Sequence, residues 1–301
     1  MQFLIYPLAS VLFYALMAFV PQVGLVTAVF SPMLLLLYSD LEKRNRFSDL
    51  YLAGLIAVLA GIGPVLAGFY LISVLAPALF IHRYLKSGRL DPWIPAAVTP
   101  LLTLLSVFIA VYLFSSYRNE MTDVAEKALI TFLDAVKSSK SPVAGEDYFL
   151  KVSSMTREAA LSIVLVFPAV NYVFTAFSAH IALNLYAKMR RIQLPKFRLP
   201  DNLVWLLIAG FAMIFIKQDM VRHIGLNLII IMMTLYAFQG FDIMTHWMIR
   251  LRIFPVIRAL IFVFIFSEPP AIILIALLGL FSVWFNLYGR QQTPEEQKPS
   301  D

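Results

Sequence analysis

Long apolar runs separated by short polar connections dominate this chain. Because each backbone amide in hydrocarbon needs an internal partner, runs of this kind predict helices. The strands of a membrane barrel would instead show short segments of alternating polarity. Eight runs are long enough, or nearly so, to cross the roughly 30 Å interior of a bilayer. They cover residues 3–19, 23–38, 50–66, 69–84, 94–114, 159–186, 203–216 and 224–249.

A ninth apolar region, residues 254–287, is interrupted by the sequence Ser267-Glu268-Pro269-Pro270. As one helix it would be about 51 Å long, which is too long for a single crossing. A hydroxyl side chain followed by prolines is typical of the first turn of a helix. Two shorter helices are therefore favoured, and one kinked helix is the alternative. The expected fold is an all-α, polytopic transmembrane helical bundle of nine or ten spans.

Composition and charge agree with this class of protein. Hydrophobic residues make up 60% of the chain and charged residues 14%, whereas globular domains carry roughly 25% charged residues. Cysteine is absent, which excludes disulfides and thiolate chemistry. Most basic residues fall in four connections, and these connections lie on one side of the membrane if every apolar run crosses it once. They contain Lys43, Arg44, Arg46, Arg83, Lys86, Arg89, Lys188–Arg198, Arg250 and Arg252.

The positive-inside rule places those connections and the N-terminus in the cytoplasm, as expected for a multi-pass protein of a bacterial inner (plasma) membrane. The net charge of +6 is therefore a topology signal, and nucleic acid is not an expected partner. The expected partner is the lipid bilayer. Residues 1–290 are expected to form a single integral membrane domain, followed by a disordered tail over residues 291–301.

One connection, residues 115–157, differs from the others because it is long and polar and falls on the outer face. Within it, apolar residues recur at spacings of three and four from Met121 to Val136, which is the period of an amphipathic helix. We expect this extracytoplasmic insertion to cap the outer ends of the spans. A docking surface for a partner and a lid over a cavity are the alternatives.

Gln239, Asp242 and His246 share one face of the eighth apolar run. A charged carboxylate facing lipid near the bilayer centre costs roughly 2.5–3.5 kcal/mol, so this face is expected to point into the bundle or a wet cavity. Helix rise places further polar side chains within reach of it. The candidate ligand-binding residues are His180, Asn184, Asn227, Gln239, Asp242, His246 and Arg258, with an Asp242–Arg258 ion pair as the expected core.

Three interpretations of these residues remain open. Buried amides and ion pairs commonly join membrane helices, which would make them structural. A ligand, ion or proton site is the second interpretation, and catalysis by Asp242 and His246 is the third. The four histidines are scattered, and the zinc-protease, nucleophile-turn and phosphate-loop motifs are missing. We therefore predict no catalytic residue, no metal site and no cofactor.

Three stretches together resemble a known family: "LPDNLVW" at 199–205, "GLNLIIIMMTLYAFQGFDI" at 225–243 and "LLGLFSVWFNLYGR" at 277–290. In this order they are similar to the YybS-like bacterial membrane proteins, whose function is unassigned. Members usually carry an acidic residue near the position of Ser282 or Asn286 here. The resemblance implies distant similarity to the S components of energy-coupling-factor transporters and to the rod-shape protein MreD.

These observations predict a small-molecule transport or substrate-binding subunit without its own ATPase. Such a subunit would need a partner ATPase or membrane subunit, or an ion gradient. The alternative is a non-catalytic membrane scaffold of the bacterial envelope, with a dry core in which neighbouring helices satisfy each polar group.

Overall fold

The computed structural model describes residues 2–41, 46–138, 155–285 and 287. Within those ranges the secondary structure is helical and contains no strand. The all-α bundle expected from the sequence is thus confirmed. The expected disordered tail and the second part of the predicted outer insertion lie outside the described residues.

Fourteen α-helices are described in these ranges. The first half of the chain contains α1 (Gln2–Phe19), α2 (Pro21–Ala28), α3 (Ser31–Ser39), α4 (Arg46–Ile62), α5 (Pro64–Tyr70), α6 (Ala76–Lys86), α7 (Trp93–Val98), α8 (Leu101–Leu113) and α9 (Ser115–Ser138). The second half contains α10 (Thr156–Arg190), α11 (Val204–Ile214), α12 (Asp219–Arg250), α13 (Pro255–Ser267) and α14 (Pro269–Phe281). A π-helical segment, Leu71–Leu75, joins α5 to α6, and a 3-10 turn, Asp201–Leu203, precedes α11.

Five described segments are long and apolar enough to cross a membrane: Pro21–Ser39, Pro64–Lys86, Trp93–Leu113, Thr156–Arg190 and Asp219–Arg250. The α13–α14 pair makes a sixth if it is one bent span. The other apolar runs are helices too, but α1, α4 and α11 are shorter than the roughly 20 residues that a full crossing needs. Nine or ten apolar segments therefore correspond to a smaller number of full-length spans.

Prolines explain why several spans are built from two pieces. A proline lies in the first turn of α2, α3, α5, α6, α13 and α14. Proline suits that position because it has no N–H to donate, and it disrupts a helix anywhere further along. The interior of this protein consequently contains broken helices, whose free backbone groups need partners from other helices.

Helix α10 organises the bundle. It contributes Ala179, Ala182, Leu183 and Tyr186 to a core formed with α1 to α6. Its middle, including Tyr172 and Ala176, packs in a second core with α7, α11 and α12. Its first turns pack with α8 and α9 in a third core. The small side chains along α10 let neighbouring helices approach it closely.

The predicted amphipathic insertion begins as α9, which packs against α8 and the start of α10. Arg157 Nη1 lies 2.8 Å from Asp123 Oδ1 and 2.9 Å from Glu126 Oε2, and joins the two helices by ion pairs. Only part of the predicted apolar stripe packs inward. Met121 and Ala125 contact the core, whereas Val124 and Phe132 are exposed.

Candidate functional site

Asn227 of α12 lies against the turn of α10 around Pro168, which we call the Pro168 break although the helix continues through it. Its Oδ1 accepts the Ala169 N–H at 2.8 Å, and its Nδ2 donates to the Leu165 carbonyl at 2.7 Å. The Tyr112 hydroxyl also donates to the Leu165 carbonyl, at 3.0 Å. In an unbroken α-helix the Ala169 N–H and the Leu165 carbonyl would bond to each other. Asn227 therefore inserts its amide into the hydrogen-bond ladder of another helix.

The reason for this insertion is Pro168, which lies inside α10. A proline inside a helix removes one backbone donor, and its ring pushes the preceding turn away. An asparagine side chain carries the same donor and acceptor as a peptide group, so it can replace the missing link. Asn227 is 4% exposed and its amide is fully engaged. Its amide therefore joins α12 to α10 through bonds to groups of the protein itself.

Gln239 is also buried, and both polar atoms of its amide are hydrogen-bonded. Its Oε1 accepts the Leu199 N–H at 2.8 Å, and its Nε2 donates to the Gly279 carbonyl at 3.2 Å and to Ser282 Oγ at 2.5 Å. The side chain thereby joins α12 to the end of α14 and to the extended segment between α10 and the 3-10 turn. We call that stretch, residues 192–200, the extended segment.

Asp242 fixes the same extended segment. Its Oδ2 accepts the Phe197 N–H at 3.1 Å. In an extended chain the N–H groups of alternate residues point the same way, about 6.6 Å apart, which suits two side chains one turn apart on a helix. Gln239 and Asp242 thus hold alternate amides of a segment that runs antiparallel to α12. His246 lies half-buried one turn further along this face.

Phe197 carries the extended segment into the bundle. It is 2% exposed. Its ring meets His180 edge-on at 5.3 Å between centroids, and Phe238 at 5.9 Å. His180 in turn stacks on Phe238 at 4.6 Å. The rings of Phe197 and Phe238 therefore connect His180 to the face of α12 that carries Gln239 and Asp242.

Asn184 determines which nitrogen of His180 carries the proton. Its Nδ2 donates to the His180 carbonyl at 2.8 Å and lies 3.1 Å from the ring Nε2. A donor at that position makes Nε2 the acceptor, so the proton of the neutral ring lies on Nδ1. Nδ1 is buried and has no hydrogen-bond partner. His180 consequently presents an N–H donor to the interior with no acceptor.

Arg258 of α13 presents a second donor of this kind, because its Nε is also buried without a hydrogen-bond partner. The ion pairs described for this part of the chain do not include the expected Asp242–Arg258 pair. That expectation rested on depth alone, and depth does not report the direction of a side chain around its helix. Asp242 faces the extended segment instead.

The candidate residues therefore separate into three groups. Asn227 belongs to the Pro168 break, Gln239 and Asp242 hold the extended segment, and His180 and Arg258 keep unpaired donors. The extended segment itself was missed, because its apolar anchors Phe197 and Leu199 stand in a basic connection. Pro168 was a usable signal, since a proline in the middle of an apolar run predicts a break that needs a polar partner.

Described cavities lie away from this region. One of about 390 Å³ lies between α5, the π-helical segment and α8, and another of about 300 Å³ lies between α3, α4 and α6. A third of about 210 Å³ is lined by α1, α3 and the end of α10. Among the described residues, no group of three histidine or carboxylate side chains could hold a metal ion.

Comparison with known proteins identifies a family. The sequence model of a family described as "Predicted membrane protein (DUF2232)" matches residues 8–282. Neither the curated proteins nor the solved structures contain a match to this chain.

Proposed function

The chain belongs to this family of predicted membrane proteins, and from that premise we propose that it is a small-molecule transport or substrate-binding subunit. It has several helices suited to crossing a bilayer. It would bind a ligand through hydrogen-bond acceptors such as carboxylate or phosphate oxygens. Without an ATPase motif of its own, it would depend on a partner ATPase or membrane subunit, or on an ion gradient.

The unpaired donor of His180 carries this proposal. A buried polar group without a partner is rare in folded proteins, because burial without a hydrogen bond costs about 1–3 kcal/mol. Asn184 holds the ring so that Nδ1 keeps its proton, and the rings of Phe238 and Phe197 restrict its orientation. A ligand oxygen accepting from Nδ1 would remove this cost.

Arg258 supports the same class of ligand. Phe177, Phe238, Phe241, Phe262 and Phe266 form an aromatic layer between α10, α12 and α13. His180 lies one turn beyond Phe177, and Arg258 one turn before Phe262, on the side of this layer that leads to Arg250. Two unpaired donors, one of them cationic, favour an anionic ligand that enters from that side.

The membrane and its orientation remain part of the proposal. The basic connections favour a cytoplasmic N-terminus in a bacterial inner membrane. The resemblance to YybS-like proteins, and through them to S components of energy-coupling-factor transporters, supports a small-molecule binder. The resemblance to MreD supports the scaffold alternative instead.

Thermal stability in detergent tests the binding proposal. Carboxylates, phosphorylated metabolites and their neutral analogues would be added to the purified protein. A true ligand raises the melting temperature in proportion to its excess over Kd. We expect anionic compounds to stabilise the wild type and to lose at least tenfold in affinity in His180→Phe and in Arg258→Gln. Stabilisation by no compound of a broad set would overturn the proposal.

The scaffold alternative has one observation in its favour. Asn227 and Gln239, which a ligand cavity was expected to use, are saturated by backbone groups. The core around them is therefore held together by internal contacts. A stoichiometric partner recovered from the native membrane, together with a blank ligand screen, would favour this alternative.

A further inference from the structure

The connection between α10 and α11 exposes polar residues and prolines, whereas the neighbouring helices expose apolar side chains. Pro195 and Pro200 prevent the extended segment from continuing either helix. Near its end the segment exposes Arg198, and the 3-10 turn that follows exposes Asp201 and Asn202. The outward side of this stretch is therefore polar over its whole length, and it continues to the basic end of α10.

Two hydrogen bonds show how far along α12 this stretch lies. The Phe197 N–H donates to Asp242 at 3.1 Å, and the Leu199 N–H donates to Gln239 at 2.8 Å. Gln239 precedes Arg250 by about 16 Å of helix rise. The extended segment has therefore passed well beyond the cytoplasmic end of α12 by the time it reaches Leu199.

Asp201 lies at least as far from Arg250. Helix α11 packs antiparallel to α12, with its Gly210 against the backbone of Gly225, so the chain continues away from Arg250 after the extended segment. The Arg198 and Asp201 side chains are 70% and 61% exposed, and their charged atoms lie 4.0 Å apart. An exposed charged pair thus lies beside the middle of α12.

The surface of α13 shows that this level is inside the bilayer. Helix α13 begins soon after Arg250, and its Phe266 ring lies 5.2 Å from that of Phe241. It therefore follows the last turns of α12. Over this length it exposes only apolar side chains, as expected for a surface that faces lipid, and these include Val256, Leu260 and Val263. Hydrocarbon thus begins near Arg250, and Asp201 lies deeper than Leu260.

Charged side chains and extended backbone at this depth need water. Charges that face lipid are costly, and non-helical backbone inside a membrane is tolerated only where it is buried in protein or lines a water-filled cavity. The amides of Phe197 and Leu199 have protein partners. The Arg198 N–H points to the opposite side of the extended segment and has no acceptor among the described residues.

We propose that the outward side of residues 193–202 lines a water-filled vestibule, which opens to the cytoplasm and admits small anions to the level of Asp201. The proposal goes beyond the anion site at His180 and does not depend on it. The two concern opposite sides of the extended segment, because the Phe197 ring packs on His180 whereas Arg198 is exposed on the other side.

The charge of this stretch favours anions. Residues 188–202 include five basic residues and one acidic residue, so the balance is positive even though Arg190 pairs with Asp40 of α3. The pair of Arg198 and Asp201 is exposed and at the limit of ion-pair distance, so the two charges neutralise each other only weakly. A cleft with low-dielectric walls concentrates the field of its charges and raises the local concentration of counter-ions.

Single cysteines test the vestibule, because the natural chain contains none. Gln193→Cys reports on the mouth and Asn202→Cys on the deep end, and both positions are exposed. Leu260→Cys is the control, since it is exposed and apolar but lies nearer to Arg250 than Asn202 does. Each variant would be reconstituted in vesicles and treated with a membrane-impermeant thiol reagent from one face at a time.

We expect Gln193→Cys and Asn202→Cys to react from the same face, at rates within about tenfold of each other, and Leu260→Cys to react at least about a hundredfold more slowly than either. At Asn202→Cys, an anionic reagent should react at least about threefold faster than a cationic one of similar size. Adding Arg198→Gln should remove this preference.

Four results would overturn the proposal. Equal rates for Leu260→Cys and Asn202→Cys would place the membrane surface at Asp201. No reaction of Asn202→Cys would show that lipid or a partner protein covers it, and reaction from the face opposite to that of Gln193→Cys would reverse its position. Equal rates for both reagents, or a faster cationic one, would exclude a path for anions. A blank ligand screen would instead overturn the site at His180 and leave these rates unchanged.

Discussion

Two breaks at proline residues in this protein differ in the hydrogen bonds that other helices make to them. At Pro168, the amide of Asn227 bridges the interrupted turn of α10, and the Tyr112 hydroxyl adds a further bond. At the turn between α13 and α14, the one side-chain bond among the described residues is local, from Ser267 to Val263. The first break is sealed by another helix, and the second is left with free acceptors.

The difference shows what a break in a membrane helix can serve. Backbone groups freed in hydrocarbon must find a partner. Where a neighbouring helix supplies an amide, the break is a structural joint. Where no neighbour supplies one, the groups remain available to water or an ion. The role of a polar residue in the membrane can thus be inferred only when the backbone groups that it hydrogen-bonds are known.

The largest effect is expected at Gly279, where the backbone of α14 contacts the backbone of α12. A methyl group at Gly279 would collide with the Tyr236 carbonyl and the Gly240 amide, neither of which can move aside like a flexible side chain. We expect Gly279→Ala to lower the free energy of unfolding by about 3 kcal/mol. Thermal and denaturant unfolding in detergent would measure it.

Gly54→Ala is the matched control for this change, because a Cβ at Gly54 meets nothing within 4 Å. It should be neutral or slightly stabilising, since alanine favours helix more than glycine does. If both variants unfolded like the wild type, the close backbone contact between α12 and α14 would be contradicted.

A smaller loss is expected at the sealed break. Asn227→Leu would leave the Ala169 N–H and the Leu165 carbonyl without the amide that bridges them, and we expect a loss of about 2 kcal/mol. The comparison is sharpened by Pro168→Ala, which would restore the internal bond of α10. In the Pro168→Ala variant, Asn227→Leu should lower the free energy of unfolding by at least about 1 kcal/mol less than it does in the wild type. A double-mutant cycle would measure this difference. Strictly additive effects would contradict the bridging role.

The smallest effect is expected at the turn between α13 and α14. Glu268 is exposed, so Glu268→Gln should change the free energy of unfolding by less than about 0.5 kcal/mol. Denaturant unfolding in detergent would measure it. A large loss of stability would indicate that Glu268 is a structural residue.

Much of the architecture was predictable from the order of the residues. The apolar runs became helices, and the break at Ser267 to Pro270 appeared where a hydroxyl side chain and two prolines stand. The number of full spans was less predictable, because apolarity reports that a segment avoids water and not whether it runs straight through the bilayer. The 108° bend between α13 and α14 is a change of direction that apolarity does not report.

The polar candidates show a similar limit. That Gln239 and Asp242 face inward followed from the cost of a carboxylate in lipid. Their partners, the amides of Leu199 and Phe197, lie 40 or more residues away in a connection whose path the sequence does not indicate. The expected Asp242–Arg258 pair failed for the same reason, because equal depth leaves the angle around each helix undetermined.

By itself the sequence determined that this is a helical membrane protein, because hydrocarbon admits only long apolar segments whose backbone bonds are made internally. It also determined where those segments break, since proline lacks an N–H wherever it stands. Only the tertiary structure decided which breaks are sealed and which stay open. That outcome depends on whether a polar side chain from a distant helix reaches the freed groups, and reach is a property of packing in three dimensions.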